Sequence, residues 1–225
     1  FDMMPSYTDF YTLLFSFVLG GFCLEALRRT ETGLSKPQKL GLLTLITLWL
    51  FGVHMYVSQK LILPEDVSSL GFIAFLVVGV GAVSGLLFLT PIRDKVLSIR
   101  QEYLMLIQGL RVFFGMGFLI QGALGIMPLY FGITDGFFHI TSAFLALKAG
   151  LLLNVKDSGC SGKKGLWTAN IFGLSDIAIV VYGLSFYLLK DVGPHHGVMY
   201  AALFAAPIFI NAHFVSIYKL LTDKK

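Results

Sequence analysis

Seven apolar runs, each close to twenty residues long, alternate with short gaps that hold most of the charged residues. A helix needs about 20 mainly apolar residues to cross the hydrocarbon core of a bilayer. The runs lack the alternation over about 10 residues that is typical of membrane barrel strands. We therefore predict an all-α fold, a polytopic membrane helical bundle with seven transmembrane helices. The predicted spans are 10–27, 40–57, 70–90, 103–125, 136–154, 166–188 and 198–218.

The composition supports a single membrane domain over residues 1–225. Only 13% of the residues are charged, whereas a soluble domain has about 25%. The gaps between spans are too short for a separate soluble domain, so the function is expected in the bundle or on its two faces. The net charge of +4 does not indicate nucleic acid, because the basic residues flank the spans. The expected partner is the lipid bilayer.

The basic residues predict the orientation of the bundle. Thirteen of the 17 lie in 28–39, 93–100 and 156–164 and near the C-terminus, which all fall on one side of a seven-span chain. The opposite loops hold only Lys60 and Lys190. Because cytoplasmic loops carry an excess of Lys and Arg, the N-terminus is predicted outside and the C-terminus inside. This predicts an integral protein of a bacterial inner membrane.

Polar side chains inside the predicted spans mark a candidate site in the inner half of the bundle. Ionisable residues there usually face the bundle interior or a cavity, and they mark ion or substrate pathways. We expect Asp176 to pair with Arg111, because a guanidinium can bind a carboxylate through two parallel bonds. Lys148 and a protonated His213 are alternative partners, and a purely structural ion pair is the competing interpretation. The predicted substrate- or ion-binding residues are Arg111, Asp176, His213, Asn170, Lys148, Asn211 and Gln108.

A second polar set is expected in the outer half of the bundle. It contains His54, Gln121, Asp135 and His139, and the last two lie four residues apart on one helical face. Two histidines at a similar depth could ligate a b-type haem, so His54 and His139 form an alternative cofactor site. Otherwise no cofactor is expected. No metal site is predicted, because two cysteines without a nearby histidine do not form a zinc site.

The second half contains four notable segments: QGLR at 108–111, GIMP at 125–128, NIFGLSD at 170–176 and PIFINAHFVSIYKL at 207–220. Together they resemble a family of uncharacterised bacterial seven-helix integral membrane proteins. The resemblance covers about residues 105–220 and implies that Arg111, Asn170, Asp176, Pro207 and His213 belong together. It implies no activity. The chain departs from the family pattern at Trp167, which is not adjacent to Asn170, and at His139, where a small residue is expected.

The buried charges favour a transporter or channel for protons or for a small polar or anionic solute. One alternative is a haem- or cofactor-binding membrane redox protein. Another is a receptor or accessory subunit that contacts a membrane protein partner through its helix faces. An enzyme is disfavoured, because no nucleophile–base pair emerges from the spacing.

Overall fold

The computed structural model describes residues 4–30, 33–153 and 159–222. Over these ranges the fold is all-helical, with no strand. The helices are α1 Met4–Arg28, α2 Lys36–Gln59, α3 Ser69–Phe88, α4 Arg93–Leu97, α5 Gln101–Gly109, α6 Arg111–Ala123, α7 Leu129–Leu152, α8 Gly159–Gly183, α9 Leu189–Val192 and α10 Ala206–Thr222. Two π-helical turns, Leu184–Leu188 and Ala201–Ala205, follow α8 and precede α10.

Six helical stretches of the described chain are long and apolar enough to cross a membrane, which indicates a membrane protein. They are Tyr7–Arg28, Lys36–Gln59, Ser69–Phe88, Gln101–Ala123, Gly162–Val192 and Ala201–Thr222. The α7 helix has 24 residues but is not among the six, and its polar residues include Asp135, His139 and Lys148. The seventh span and the predicted orientation therefore stay predictions. Lys156, Lys224, Lys225 and the predicted span end at 154 lie outside the described residues.

The short connections fix where the first helices begin. The Ser35 hydroxyl accepts a hydrogen bond from the Gln38 backbone N–H, and the Gln38 side-chain oxygen accepts one from the Ser35 backbone N–H. This capping box satisfies backbone N–H groups that have no partner inside the helix. Ser68 caps α3 in a similar way by accepting from the Gly71 backbone N–H. The sequence therefore sets the starts of α2 and α3 locally.

The α7 helix lies at the centre of the densest packing, against α5, α6 and α8. Glycines bring α6 and α7 into backbone contact. A Cβ atom added at Gly115 would lie 2.7 Å from the Gly136 carbonyl oxygen, and one added at Gly132 would lie 2.7 Å from the Phe118 carbonyl oxygen. Small residues allow this close approach in lipid, where van der Waals packing drives helix association.

The last helical span is interrupted by a π-helical turn just before Pro207. Pro207 has no backbone N–H, so the preceding turn loses a regular hydrogen bond. The π-helical turn Ala201–Ala205 ends two residues before this proline, and Asn211 donates its side-chain N–H to the Pro207 carbonyl oxygen. Together with Leu184 of the first π-helical turn, this turn lines a small cavity beside α7.

Candidate functional site

Arg111 is the first residue of α6, where the helix restarts after Leu110, and it is fully buried. Its Nη2 atom lies 2.5 Å from the Oδ2 atom of Asp176 on α8, and both side chains are 0% exposed. Its Nη1 atom donates to the Gly173 carbonyl oxygen at 3.0 Å. The guanidinium also lies 5.5 Å from the ring centroid of Phe209. The site is therefore built on a fully buried ion pair.

The second carboxylate oxygen of Asp176 faces α7. The Nδ1 atom of His139 lies 3.1 Å from Asp176 Oδ1, so the carboxylate receives donors from two helices. The His139 side chain also lines the cavity between the two π-helical turns. This cavity has a volume of about 50 Å³. Single π-helical turns within helices are frequent at functional sites. With Nδ1 held by Asp176, the Nε2 atom is the ring nitrogen left to exchange a proton.

His213 on α10 lies on the other side of the guanidinium. Its Nε2 atom is 3.4 Å from Arg111 Nη1, and its Nδ1 atom is 2.9 Å from the Oδ1 atom of Asn170. Because an arginine only donates, Nε2 must be the accepting nitrogen, and Nδ1 carries the hydrogen that Asn170 accepts. The contacts thus assign a neutral His213 with its proton on Nδ1.

The hydrogen bonds continue from Asn170 toward the N-terminal end of α5. Asn170 donates to the Ser216 hydroxyl at 2.8 Å, and that hydroxyl donates to the Gln101 side-chain oxygen at 2.8 Å. Gln101 returns a bond to the Ser216 carbonyl oxygen at 3.0 Å. From His213 through Asn170 and Ser216 to Gln101, each of these three side chains donates to the next one, away from the guanidinium. We call this set the core network; its members are Gln101, Ser216, Asn170, His213, Arg111, Asp176 and His139.

Gly173 supplies the space in which the network forms. It lies on α8 midway between Asn170 and Asp176. A Cβ atom at this position would overlap the His213 ring and lie 3.1 Å from Arg111 Nη1. With only hydrogen there, the His213 ring fits beside Gly173, and Arg111 binds the Gly173 carbonyl oxygen.

Several buried polar atoms close to the core network have no hydrogen-bond partner within the described protein. Arg111 Nε and Gln108 Oε1 are two of them, one helical turn apart in sequence. Asp135 Oδ2 and Ser142 Oγ are two more, and with His139 they lie on one face of α7. Buried polar groups in folded proteins nearly always bond to protein or ordered water. These atoms are therefore the places where water or a small polar ligand would bind.

Four of the predicted binding residues meet in the core network, namely Arg111, Asp176, His213 and Asn170. The predicted pairing of Asp176 with Arg111 is confirmed by their contact. Asn170 and Asp176 share α8 but face different neighbours. A separation of six residues turns the helix by about 600°, which leaves the two side chains about 120° apart. Asn170 therefore meets α10, whereas Asp176 meets α6 and α7.

The other three predicted binding residues lie elsewhere. Gln108 donates to the Phe209 carbonyl oxygen, and within the described residues no hydrogen bond joins it to the core network. Asn211 accepts from Ser84 on α3 and lines a separate, mostly apolar cavity of about 370 Å³. Lys148 is exposed on α7, because a long side chain can carry its charge away from the interior.

The predicted division into an inner and an outer polar set was wrong for His139, because this ring contacts the inner residue Asp176. The other proposed haem ligand, His54, has its Nδ1 atom 2.7 Å from the Tyr200 hydroxyl. The two rings therefore have different partners, and the haem alternative stays a prediction. Among the described residues, no group of three or more His, Cys, Asp or Glu side chains is placed to hold a metal ion.

Sequence reasoning missed Gln101 and Ser216. Gln101 precedes the predicted start of its span, and serine is common at helix interfaces without a further role. The spacing of three residues between His213 and Ser216, which puts both on one face of α10, is the signal that could have found Ser216.

A protein-family model matches residues 68–221, and its description is "Domain of unknown function (DUF8737)". The matched region begins just before α3 and contains every member of the core network. No curated protein and no solved structure matches the chain.

Proposed function

We propose that this chain, which belongs to the DUF8737 family, moves protons through its core, alone or coupled to a small polar or anionic solute. The observation that carries the proposal is the fully buried Arg111–Asp176 pair, whose carboxylate also contacts His139 beside a cavity. We place the protein in a bacterial inner membrane, with the basic loops on the cytoplasmic side.

The chemistry centres on Asp176. While ionised, it balances the charge of Arg111 in an interior that cannot solvate either group. A proton delivered to the carboxylate cancels this balance and leaves a buried guanidinium without its partner. An uncompensated buried charge is strongly unfavourable, so protonation shifts the equilibrium toward an arrangement in which Arg111 finds other partners. Proton binding is thereby coupled to a movement of side chains or helices.

His139 is the proposed entry to Asp176. A proton reaches Nε2 of the neutral ring from the cavity side, and the proton on Nδ1 passes to Asp176 Oδ1. Histidine is suited to this transfer because its unperturbed pKa lies near physiological pH. Asp135, four residues earlier on the same face of α7, is a second carboxyl group on this side of the bundle.

Arg111 divides the network into two parts. An arginine stays protonated in proteins, so a proton does not hop through it. The part formed by His139 and Asp176 accepts and releases protons, whereas His213, Asn170, Ser216 and Gln101 hold the guanidinium from the other side. Passage across the membrane therefore requires Arg111 to change partners, which favours a transporter over an open channel.

The test is proton flux into liposomes that contain the purified protein, a trapped pH indicator and a potassium diffusion potential. The flux is measured with and without a mixture of amino acids, sugars, carboxylates and phosphate. We expect flux above that of protein-free vesicles, and we expect His139→Gln to abolish it. Glutamine keeps a donor for Asp176 but does not relay a proton.

The matched control is His54→Gln, which changes a histidine whose Nδ1 atom contacts the Tyr200 hydroxyl, outside the core network. This variant should retain the flux. Arg111→Gln combined with Asp176→Asn removes both buried charges at once, and it should fold but carry no protons. If the double variant still conducts, or if the unaltered protein never exceeds empty vesicles, the pair is structural and the proposal fails.

A further inference from the structure

A groove between α1 and α2 has the composition of an amphiphile-binding site. Its volume is about 480 Å³, and it opens at the end of the bundle where α1 ends and α2 begins. We call it the α1–α2 groove. Its walls include Gly21, Leu24, Glu25 and Arg28 on α1 and Lys36, Lys39, Leu40 and Leu43 on α2.

Both walls of the α1–α2 groove carry a charged part and an apolar part, arranged in the same order relative to the end of the bundle. On α1 the positions 21, 24, 25 and 28 follow the spacing of one helical face, and so do 36, 39, 40 and 43 on α2. On each wall the charged side chains lie toward the helix end in the basic loops, and the apolar ones lie toward the middle of the span. The charged and apolar parts of each wall extend about 10 Å along the axis.

The charge of the groove is unbalanced. Glu25 accepts from Arg28 at 2.6 and 2.7 Å and from Arg29 at 2.5 Å, so the only carboxylate in the lining is already neutralised. Lys36 and Lys39 are exposed, and no ion pair joins either of them to another described residue. The groove thus offers two adjacent ammonium groups above an apolar wall.

The apolar wall is open to a ligand chain. Leu40 is 66% exposed and Leu43 is 43% exposed. A Cβ atom added at Gly21 would meet no atom within 4 Å, so the floor of the groove at this level is empty space.

We propose that the α1–α2 groove binds one anionic phospholipid, with its phosphate at Lys36 and Lys39 and an acyl chain along Gly21, Leu40 and Leu43. The charge complementarity selects an anionic over a zwitterionic headgroup. Basic pockets between transmembrane helices on the cytoplasmic side bind anionic lipid headgroups in this way. This inference does not depend on the proton pathway, because the groove and the core network have no residue in common.

The test compares lipid binding to the purified full chain by native mass spectrometry. Phosphatidylglycerol and phosphatidylcholine with identical acyl chains are the probes, and inorganic phosphate and glycerol phosphate are added as competitors. We expect tighter binding of phosphatidylglycerol. Because each lysine near the membrane surface attracts an anionic headgroup, Lys36→Gln with Lys39→Gln should weaken that binding by at least about tenfold.

The matched control is Lys163→Gln with Lys164→Gln, which removes the same charge from two exposed lysines at the start of α8. It should leave phosphatidylglycerol binding unchanged. Equal losses in the two double variants would mean that only the general surface charge attracts the lipid, and the proposed site would be wrong.

Gly21→Leu tests the apolar half, because it keeps both lysines and fills the groove. It should reduce phosphatidylglycerol binding without affecting proton flux through the core. If the filled groove binds the lipid as before, or if free phosphate competes as well as the intact lipid, the site recognises a phosphate alone and the inference is overturned.

Discussion

The helices that carry the core network differ from α2 and α3 in how much of their surface is buried inside the protein. In their most apolar parts, 56% of the residues of Gln101–Ala123 and of Ala201–Thr222 are buried inside the protein, and 33% of those of Gly162–Val192. The corresponding fractions are 22% for α2 and 11% for α3. The first group encloses charges and amides, which lipid cannot satisfy. The second group presents mainly aliphatic residues, which lipid accommodates as well as protein does. Polar content, more than hydrophobicity, therefore decides which helices need close neighbours here.

The largest loss of stability should come from removing one member of the buried ion pair. Asp176→Ala leaves Arg111 charged and unpaired, and we expect a loss of about 3–5 kcal/mol in the free energy of unfolding. The measurement is denaturant or thermal unfolding in mild detergent. The double variant Arg111→Gln with Asp176→Asn should lose much less, because no buried charge is left without a partner.

An exposed ion pair provides the contrast. Lys60→Ala breaks the contact of Lys60 with Glu65, in which both side chains are more than half exposed. Surface pairs of this kind contribute little to stability, so the melting curve should not change measurably. A large shift here, or a small one for Asp176→Ala, would contradict the distinction between the two regions.

Glycines give a second, smaller test. Gly115→Ala places a methyl group against the Gly136 carbonyl oxygen in the α6–α7 contact, and overpacking of this kind costs about 1–3 kcal/mol. Gly81→Ala on α3 meets no atom within 4 Å. We expect it to change the free energy of unfolding by less than about 0.5 kcal/mol. Matched melting curves of the two variants check the difference, and similar losses would mean that α3 is packed as tightly as α6.

A pH-dependent effect concerns the loop that precedes the second π-helical turn. Burial lowers the pKa of His196 below its usual value, and its Nδ1 atom accepts from the Val198 backbone. As the pH falls through about 6.5, the unfolded chain binds the proton first, so stability is lost by up to about 1.4 kcal/mol per pH unit. Unfolding at pH 8, 7, 6 and 5 should show this loss in the unaltered protein. His196→Gln should flatten the curve, and an unchanged slope would contradict this assignment.

The sequence predicted the long helices because apolar length is a local property. The pairing of Asp176 with Arg111 could also be predicted from the sequence. A carboxylate in a predicted span needs a cationic partner, and the spans contain few cations. His139 was misplaced because its depth was counted from a predicted helix start at 136. The helix begins at Leu129, so His139 lies ten residues inside it, level with Asp176. Helix starts depend on tertiary contacts, which cannot be predicted from the number of apolar residues in a run.

The remaining site residues depend on rotation about the helix axes, which spacing along a single helix does not give. Lys148 and Asn211 were expected near Asp176 because they lie at a suitable depth. The structure turns Lys148 outward and turns Asn211 toward α3. Ser216 and Gln101 became visible only through their contacts with Asn170 and with each other.

The missing side chain at Gly173 has a consequence for recognising this site in other sequences. Because a methyl group there would overlap the ring of His213, glycine at this position and histidine on α10 are linked by sterics. A relative that carries a larger residue at the equivalent of 173 cannot keep the imidazole in the same place beside the guanidinium. We therefore expect the two positions to change together. Such joint substitution would separate relatives that retain the core network from relatives that share only the fold.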